Sequence, residues 1–177
     1  MHADRKNSCM RSQPDSAGVR IRRARSDEGE RLRTIAIASK GHWGYDADRV
    51  RQWAAGGDFS PEGLRRKEVF VAEVGGRVVA WASLIPKGRL CWLDDLWVEP
   101  EWIGRAIGTE LFQHAAERAR QLGAVTMEWE AEPNALGFYE RMGGRHVRDG
   151  ARNDWGRILE VMAVDLASPS MPAVEFS

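Results

Sequence analysis

Cys91-Trp92-Leu93-Asp94-Asp95-Leu96-Trp97-Val98-Glu99-Pro100-Glu101-Trp102-Ile103-Gly104-Arg105-Ala106-Ile107-Gly108 decides how this chain folds. It opens as an apolar run interrupted by two adjacent carboxylates, and Glu99-Pro100 stops that run. A glycine-containing segment follows. Helical spacing then takes over, with Ile107, Leu111, Ala115, Ala119 and Leu122 three and four residues apart. The stretch therefore reads as strand, tight turn and long amphipathic helix through Gln121. Such a turn aims backbone N–H groups and a positive helix end at one point, a natural seat for an anion such as a pyrophosphate.

Outward from this stretch, hydrophobic periodicity places the other elements. Val19 to Ala24 alternates as a first strand. Asp27 and Glu30 are spaced as a capping box for a helix whose inner face carries Leu32, Ile35, Ala36 and Ser39. Lys40 to Tyr45 ends that helix. Asp46 or Asp48 starts a second helix, with Val50, Trp53 and Ala54 inward. Gly56 to Gly63 is a loop or a short helical turn. Val69–Val74, Arg77–Ile85 and Leu90–Val98 form an antiparallel meander joined by Gly75-Gly76 and Pro86-Lys87-Gly88. After the long helix, Val125 to Ala131 alternates as a strand. Pro133 starts a short helix carrying Asn134, Phe138 and Tyr139. Arg145–Arg148 and Ile158–Asp165 close the chain as a hairpin around a polar loop.

Composition narrows the function classes. The 177 residues favour one domain, and 43% hydrophobic content supports a packed core. Residues 1–18 and 167–177 read as flexible tails around a domain at 19–166. Lys plus Arg and Asp plus Glu both total 26, which argues against broad electrostatic nucleic-acid binding. No run approaches the roughly 18 apolar residues of a membrane span. The N-terminus has no apolar signal core. Cys9 and Cys91 do not make a disulfide scaffold, so a reducing, cytoplasmic setting is expected. No metal-ligand spacing appears among His2, His42, His114 and His146, and no metal is expected.

The segment Val98 to Gly108 resembles the acyl-coenzyme A signature of the GNAT superfamily of N-acetyltransferases. Two positions depart from it: Ile103 stands where Arg or Gln is usual, and Ala106 where the first glycine is usual. Alanine tolerates a positive φ less well than glycine. The order of strands and helices from Val19 to Leu166 also matches that superfamily. The resemblance implies an α+β fold with a mixed, mostly antiparallel central sheet of about seven strands, flanked by about four helices, with two central strands splayed apart.

What the resemblance implies for chemistry is acetyl transfer from acetyl-coenzyme A, as cosubstrate, to a primary amine in a ternary complex. Backbone N–H groups of Ile103, Gly104, Arg105, Ala106, Ile107 and Gly108 would cradle the pyrophosphate, assisted by the Arg105 and Thr109 side chains. Arg105 also reads as an ordinary solvated arginine. Backbone groups of Leu96, Trp97 and Val98 would pair with the pantetheine arm, and one of those amides would polarise the thioester carbonyl. Tyr139 matches the tyrosine that protonates the departing thiolate, a phenol neutral at physiological pH. On pattern alone Tyr139 is a core aromatic. Asn134 either contacts the arm or caps its helix.

The acceptor amine needs a base or an orienting carboxylate. Asp94 and Asp95 point to opposite faces of a regular strand, with Asp94 on the face of Leu96 and Val98 if no bulge intervenes. Glu128 and Glu130 are alternatives. His42, Trp43 and Tyr45 fall where the resemblance places the acceptor pocket, to pack an apolar acceptor or stack on a cation; a simply packed loop is the other reading. Three functions stay in view: acetylation of a small-molecule amine, acetylation of a protein lysine or N-terminus, and non-catalytic acyl-coenzyme A binding. The expected partner is a small amine, not nucleic acid or membrane, and a homodimer is compatible with the resemblance.

Overall fold

A computed structural model describes residues 18–167. The expectations for most of both tails lie outside these residues. The elements run β1 (Arg20–Arg23), α1 (Gly29–His42), α2 (Ala47–Ala55), α3 (Pro61–Arg66), β2 (Glu68–Val74), β3 (Arg77–Lys87), β4 (Leu90–Val98), α4 (Ile107–Gln121), β5 (Thr126–Ala131), α5 (Leu136–Arg141), β6 (Arg145–Arg152) and β7 (Ile158–Asp165). Single 3-10 turns at Pro100–Trp102 and Pro133–Ala135 precede α4 and α5. The strands form one seven-stranded sheet in the order β1-β2-β3-β4-β5-β7-β6. Every pairing is antiparallel except β4 with β5. The fold is the expected α+β class, with five α-helices where about four were expected. The extra one is α3, where Ser60 accepts from the Gly63 N–H and Pro61 sits at the first helical position.

Both faces of the sheet are covered. On β2 the alternation sends Phe70 and Ala72 to one core and Val69 and Val71 to the other. The first core packs against α4 through Ile107, Leu111, Phe112, Ala115 and Ala119, all essentially inaccessible. The second packs against α1 through Leu32, Ile35 and Ala36. Burying a side chain of the size of Leu or Phe stabilises a fold by about 1.5–3 kcal/mol, so these two stripes fix α1 and α4 on opposite faces.

The Asp27/Glu30 capping box does not form. Glu28 occupies the N-cap position of α1 without capping it by its side chain. Its carboxylate instead accepts from the Arg25 N–H at 2.7 Å and pairs with Arg22 at 2.7 Å. Arg22 in turn bonds Glu73, so the pair ties β1 to both α1 and β2. β6 extends to Arg152, beyond the Arg148 limit expected, which shortens the polar loop.

A bulge sits in the middle of β4. Leu93 pairs with Leu84 and Asp95 with Ser83, so Asp94 is the extra residue. This is the case in which the face assignment for the adjacent aspartates fails. The parallel contact of β4 with β5 covers only Leu90–Trp92 against Thr126–Glu128. Beyond it the two strands part, as the splayed arrangement requires.

Candidate active site

The wedge between β4 and β5 opens into a cavity of about 620 Å³. Leu93, Leu96, Trp97 and Val98 form one wall and Trp129, Glu130 and Glu132 the other. The turn before α4 and the helix α5 close its ends.

That turn is shaped as an anion cradle. Gly104 has φ +80°, and Ala106 has φ +61°, the one non-glycine residue at positive φ among the described residues. Ala106 is also the N-cap of α4 and offers no side-chain cap. The first intrahelical bond here is from the Glu110 N–H to the Ala106 carbonyl. The N–H groups from Gly104 to Thr109 have no hydrogen-bond partner among the described residues, as expected of a free helix N-terminus. Ile103, Gly104, Ala106, Gly108 and Thr109 line the cavity. The Ile107 side chain is in the core, leaving only its amide to the turn. The Arg105 guanidinium lies 4.9 Å over the Trp102 ring, outside the cavity lining. Exchanging the usual first glycine for Ala106 thus keeps the turn, at the cost of a left-handed alanine.

Tyr139 lines the cavity from α5 and is 7% exposed. Its ring packs 5.0 Å from Trp129 and 5.1 Å from Phe138. Burial, with Glu132 and Asp95 nearby, pushes its pKa well above that of a free phenol, so the hydroxyl keeps its proton at neutral pH. Asn134 also lines the cavity and caps neither adjacent turn; its amide lies 3.4 Å from Glu132.

The acidic pair is placed otherwise than a regular strand would place it. Because of the bulge, both Asp94 and Asp95 reach Lys67: its ammonium bonds Asp94 and lies 3.5 Å from Asp95. Asp95 also accepts from Ser83 at 2.6 Å and from the Trp97 indole at 3.0 Å. Burial and neighbouring Asp94 raise the Asp95 pKa, against the opposing pull of Lys67 and these donors. Asp94 is exposed and borders the main cavity, while both aspartates line a second cavity of about 390 Å³ beside it.

The structure separates the remaining expected residues. Trp43 and Glu130 line the main cavity. Glu128 does not; it pairs with Arg148 on the far strand at 2.7 Å. His42 stacks edge-on to Trp43 outside the lining. Tyr45 is outside the lining and donates to Glu132, which is part of it, and itself accepts from Arg157. Sequence reading missed Lys40, Lys67, Trp155 and Arg157, and gave Glu132 no role. A lone tryptophan in the polar β6–β7 loop was the available signal for Trp155.

Comparison with known proteins bears on this site. The acetyltransferase (GNAT) family model matches residues 30–144. The chain belongs to the GNAT family of acetyltransferases. It is 36% identical over 84 residues to an uncharacterised N-acetyltransferase of Methanocaldococcus jannaschii, covering 42% of this chain and 37% of that protein. The chain thus spans little more than a third of that relative's length. It is 28% identical over 148 residues to a peptidyl-lysine N-acetyltransferase of Salmonella typhimurium, covering 78% of this chain and 92% of that protein. Among solved structures, the PaiA N-acetyltransferase of Thermoplasma acidophilum with coenzyme A superposes with a TM-score of 0.71 at 17% identity, over 84% of this chain and 99% of that one. YncA of Salmonella typhimurium with acetyl-CoA gives 0.62 at 19%, over 89% and 99%. At such identities the structural likeness concerns the fold.

Proposed function

We propose that this GNAT protein transfers the acetyl group of acetyl-coenzyme A to a primary amine of a small molecule, within a ternary complex. The observation that carries this reading is the open wedge between β4 and β5, which ends on the unpartnered amides of Gly104 to Thr109. Those amides and the α4 dipole fit a pyrophosphate. The Leu96 to Val98 edge, unpaired with β5, has main-chain groups free to bind an amide-bearing arm. Coenzyme A complexes of the two superposed acetyltransferases support the same cosubstrate.

The bound thioester supplies an electrophilic carbonyl and a thiolate leaving group. The chain supplies the rest. A main-chain amide of Leu96 to Val98 polarises the carbonyl oxygen. Tyr139, held neutral by its surroundings, gives a proton to the leaving sulfur. Asp95, with its pKa raised, or Asp94 takes the proton from the acceptor amine, directly or through water. Glu130 remains an orienting carboxylate on the opposite wall.

The experiment is a thiol-release assay with acetyl-coenzyme A over alkylamines, polyamines, amino acids, aminoglycosides and lysine peptides. Turnover with small amines supports the proposal. Turnover confined to lysine peptides or folded protein favours a second reading, protein lysine acetylation, which the Salmonella relative motivates. No calorimetric binding at millimolar acetyl-coenzyme A would defeat both; binding without turnover on any amine would leave a non-catalytic carrier.

A further inference from the structure

Lys40, in the last turn of α1, is enclosed by aromatic rings from separate segments. Its Nζ lies 4.8 Å from the Trp53 ring of α2 and 4.8 Å from Trp155 in the β6–β7 loop. Tyr45 of the α1–α2 loop is at 5.3 Å and Trp97 of β4 at 5.4 Å. The residue is 9% exposed. Ring faces at these distances attract a cation through their quadrupoles. The other contacts of this ammonium are poor. Glu132 approaches only to 3.7 Å, an ion-pair contact longer than an ordinary hydrogen bond. Filling a box of four rings does not require a charge. A methionine or leucine would pack there without the cost of desolvating an ammonium.

The box shares its walls with the acyl cavity. Trp97 and Glu132 belong to both, and Ser39, next to Lys40, also lines the cavity. A cation seat therefore adjoins the wedge in which the acyl group would lie.

We propose that Tyr45, Trp53, Trp97 and Trp155, with Glu132, form the seat of the acceptor ammonium, and that Lys40 is its internal occupant, displaced by an unbranched primary alkylamine. The inference rests on the acetyltransferase reading above and specifies its acceptor. Lys40 stands in for the acceptor, since it presents a primary ammonium on an unbranched alkyl tether. Two of the rings, Tyr45 and Trp155, sit on loops outside the helices and strands. Arg157, 5.0 Å over the Tyr45 ring, adds a second positive charge. Burial and Arg157 lower the Lys40 pKa against the pull of Glu132.

The test is calorimetric titration of the full chain, saturated with coenzyme A, with n-butylammonium chloride, and with 1-butanol as the uncharged control. Lys40→Ala removes the competitor and leaves the box open. It is expected to tighten n-butylammonium binding by about tenfold, comparable to the energy of one or two cation–π contacts. Coenzyme A affinity should not change, and 1-butanol should bind neither protein. Unchanged or weaker binding in Lys40→Ala would show Lys40 to be a structural clamp and overturn the proposal. Should that variant not fold, Lys40→Gln, polar and uncharged, serves instead: n-butylammonium affinity should again rise by about tenfold, and no rise overturns the proposal. Neither titration needs turnover. A chain that binds the amine but releases no thiol would therefore refute the transferase reading while leaving the seat intact.

Discussion

Tyr139 and Ala106 each set a demand on the chain at one position. Tyr139 is buried between Trp129 and Phe138 yet borders the cavity, so its hydroxyl is the part free for chemistry. Tyr139→Phe keeps the ring packing. It should lower kcat by about 10²- to 10⁴-fold if the phenol protonates the thiolate, with coenzyme A affinity nearly unchanged. Steady-state kinetics beside calorimetry would show this, and an unaltered kcat would remove the role. Ala106 holds a left-handed conformation that costs an L-residue about 1–2 kcal/mol. Glycine removes that cost but loses roughly 0.5–1 kcal/mol through its freer unfolded state. Ala106→Gly should therefore stabilise the protein by about 0.5 kcal/mol in urea unfolding.

At the scale of elements, the junction of β1, α1 and β2 depends on Glu28. The Arg22 guanidinium, and the Arg25 N–H after it, hold this carboxyl down at about 2 against the opposing effect of burial. A depressed folded-state pKa contributes stability above the unfolded value, lost as pH falls through the folded one. Glu28→Gln should thus cost on the order of 2 kcal/mol at pH 7 and progressively less between about pH 4.5 and pH 2. Denaturation of both proteins across that range checks it; a penalty independent of pH would contradict the linkage. The bulge in β4 is the other decisive element feature. It brings Asp94 and Asp95 onto one lysine, and the sequence, which allowed for a bulge, had no signal that one forms, because two adjacent carboxylates also fit a regular strand. The Asp27/Glu30 spacing satisfied the capping rule, yet the stronger guanidinium pairing of Glu28 moved the helix start.

For the whole molecule, the cavity links elements from both halves of the chain, so cosubstrate binding should resist global unfolding. At free acetyl-coenzyme A about 100 times its Kd, stability should rise by roughly 2.7 kcal/mol, read as a concentration-dependent increase in Tm. No shift at saturating ligand would count against the cavity as its site. The wedge exists because β4 pairs with β5 over three residues only and then leaves it. One face carries α4 and the other α1, so the strands can part without exposing either core.

Local rules determined most of the fold: alternation marked the strands, three- and four-residue spacing marked α1 and α4, and glycines marked the turn before α4. These signals lie within a few residues of one another, where backbone sterics and amphipathicity act. Tertiary structure alone decided that Lys40 sits among Tyr45, Trp53, Trp97 and Trp155, that Lys67 binds both aspartates, and that Glu128 faces Arg148 and not the cavity. Such contacts join residues as far apart as Tyr45 and Arg157, 112 positions along the chain. Their energy depends on how sheet and loops close in space, and a sequence pattern has no term for that.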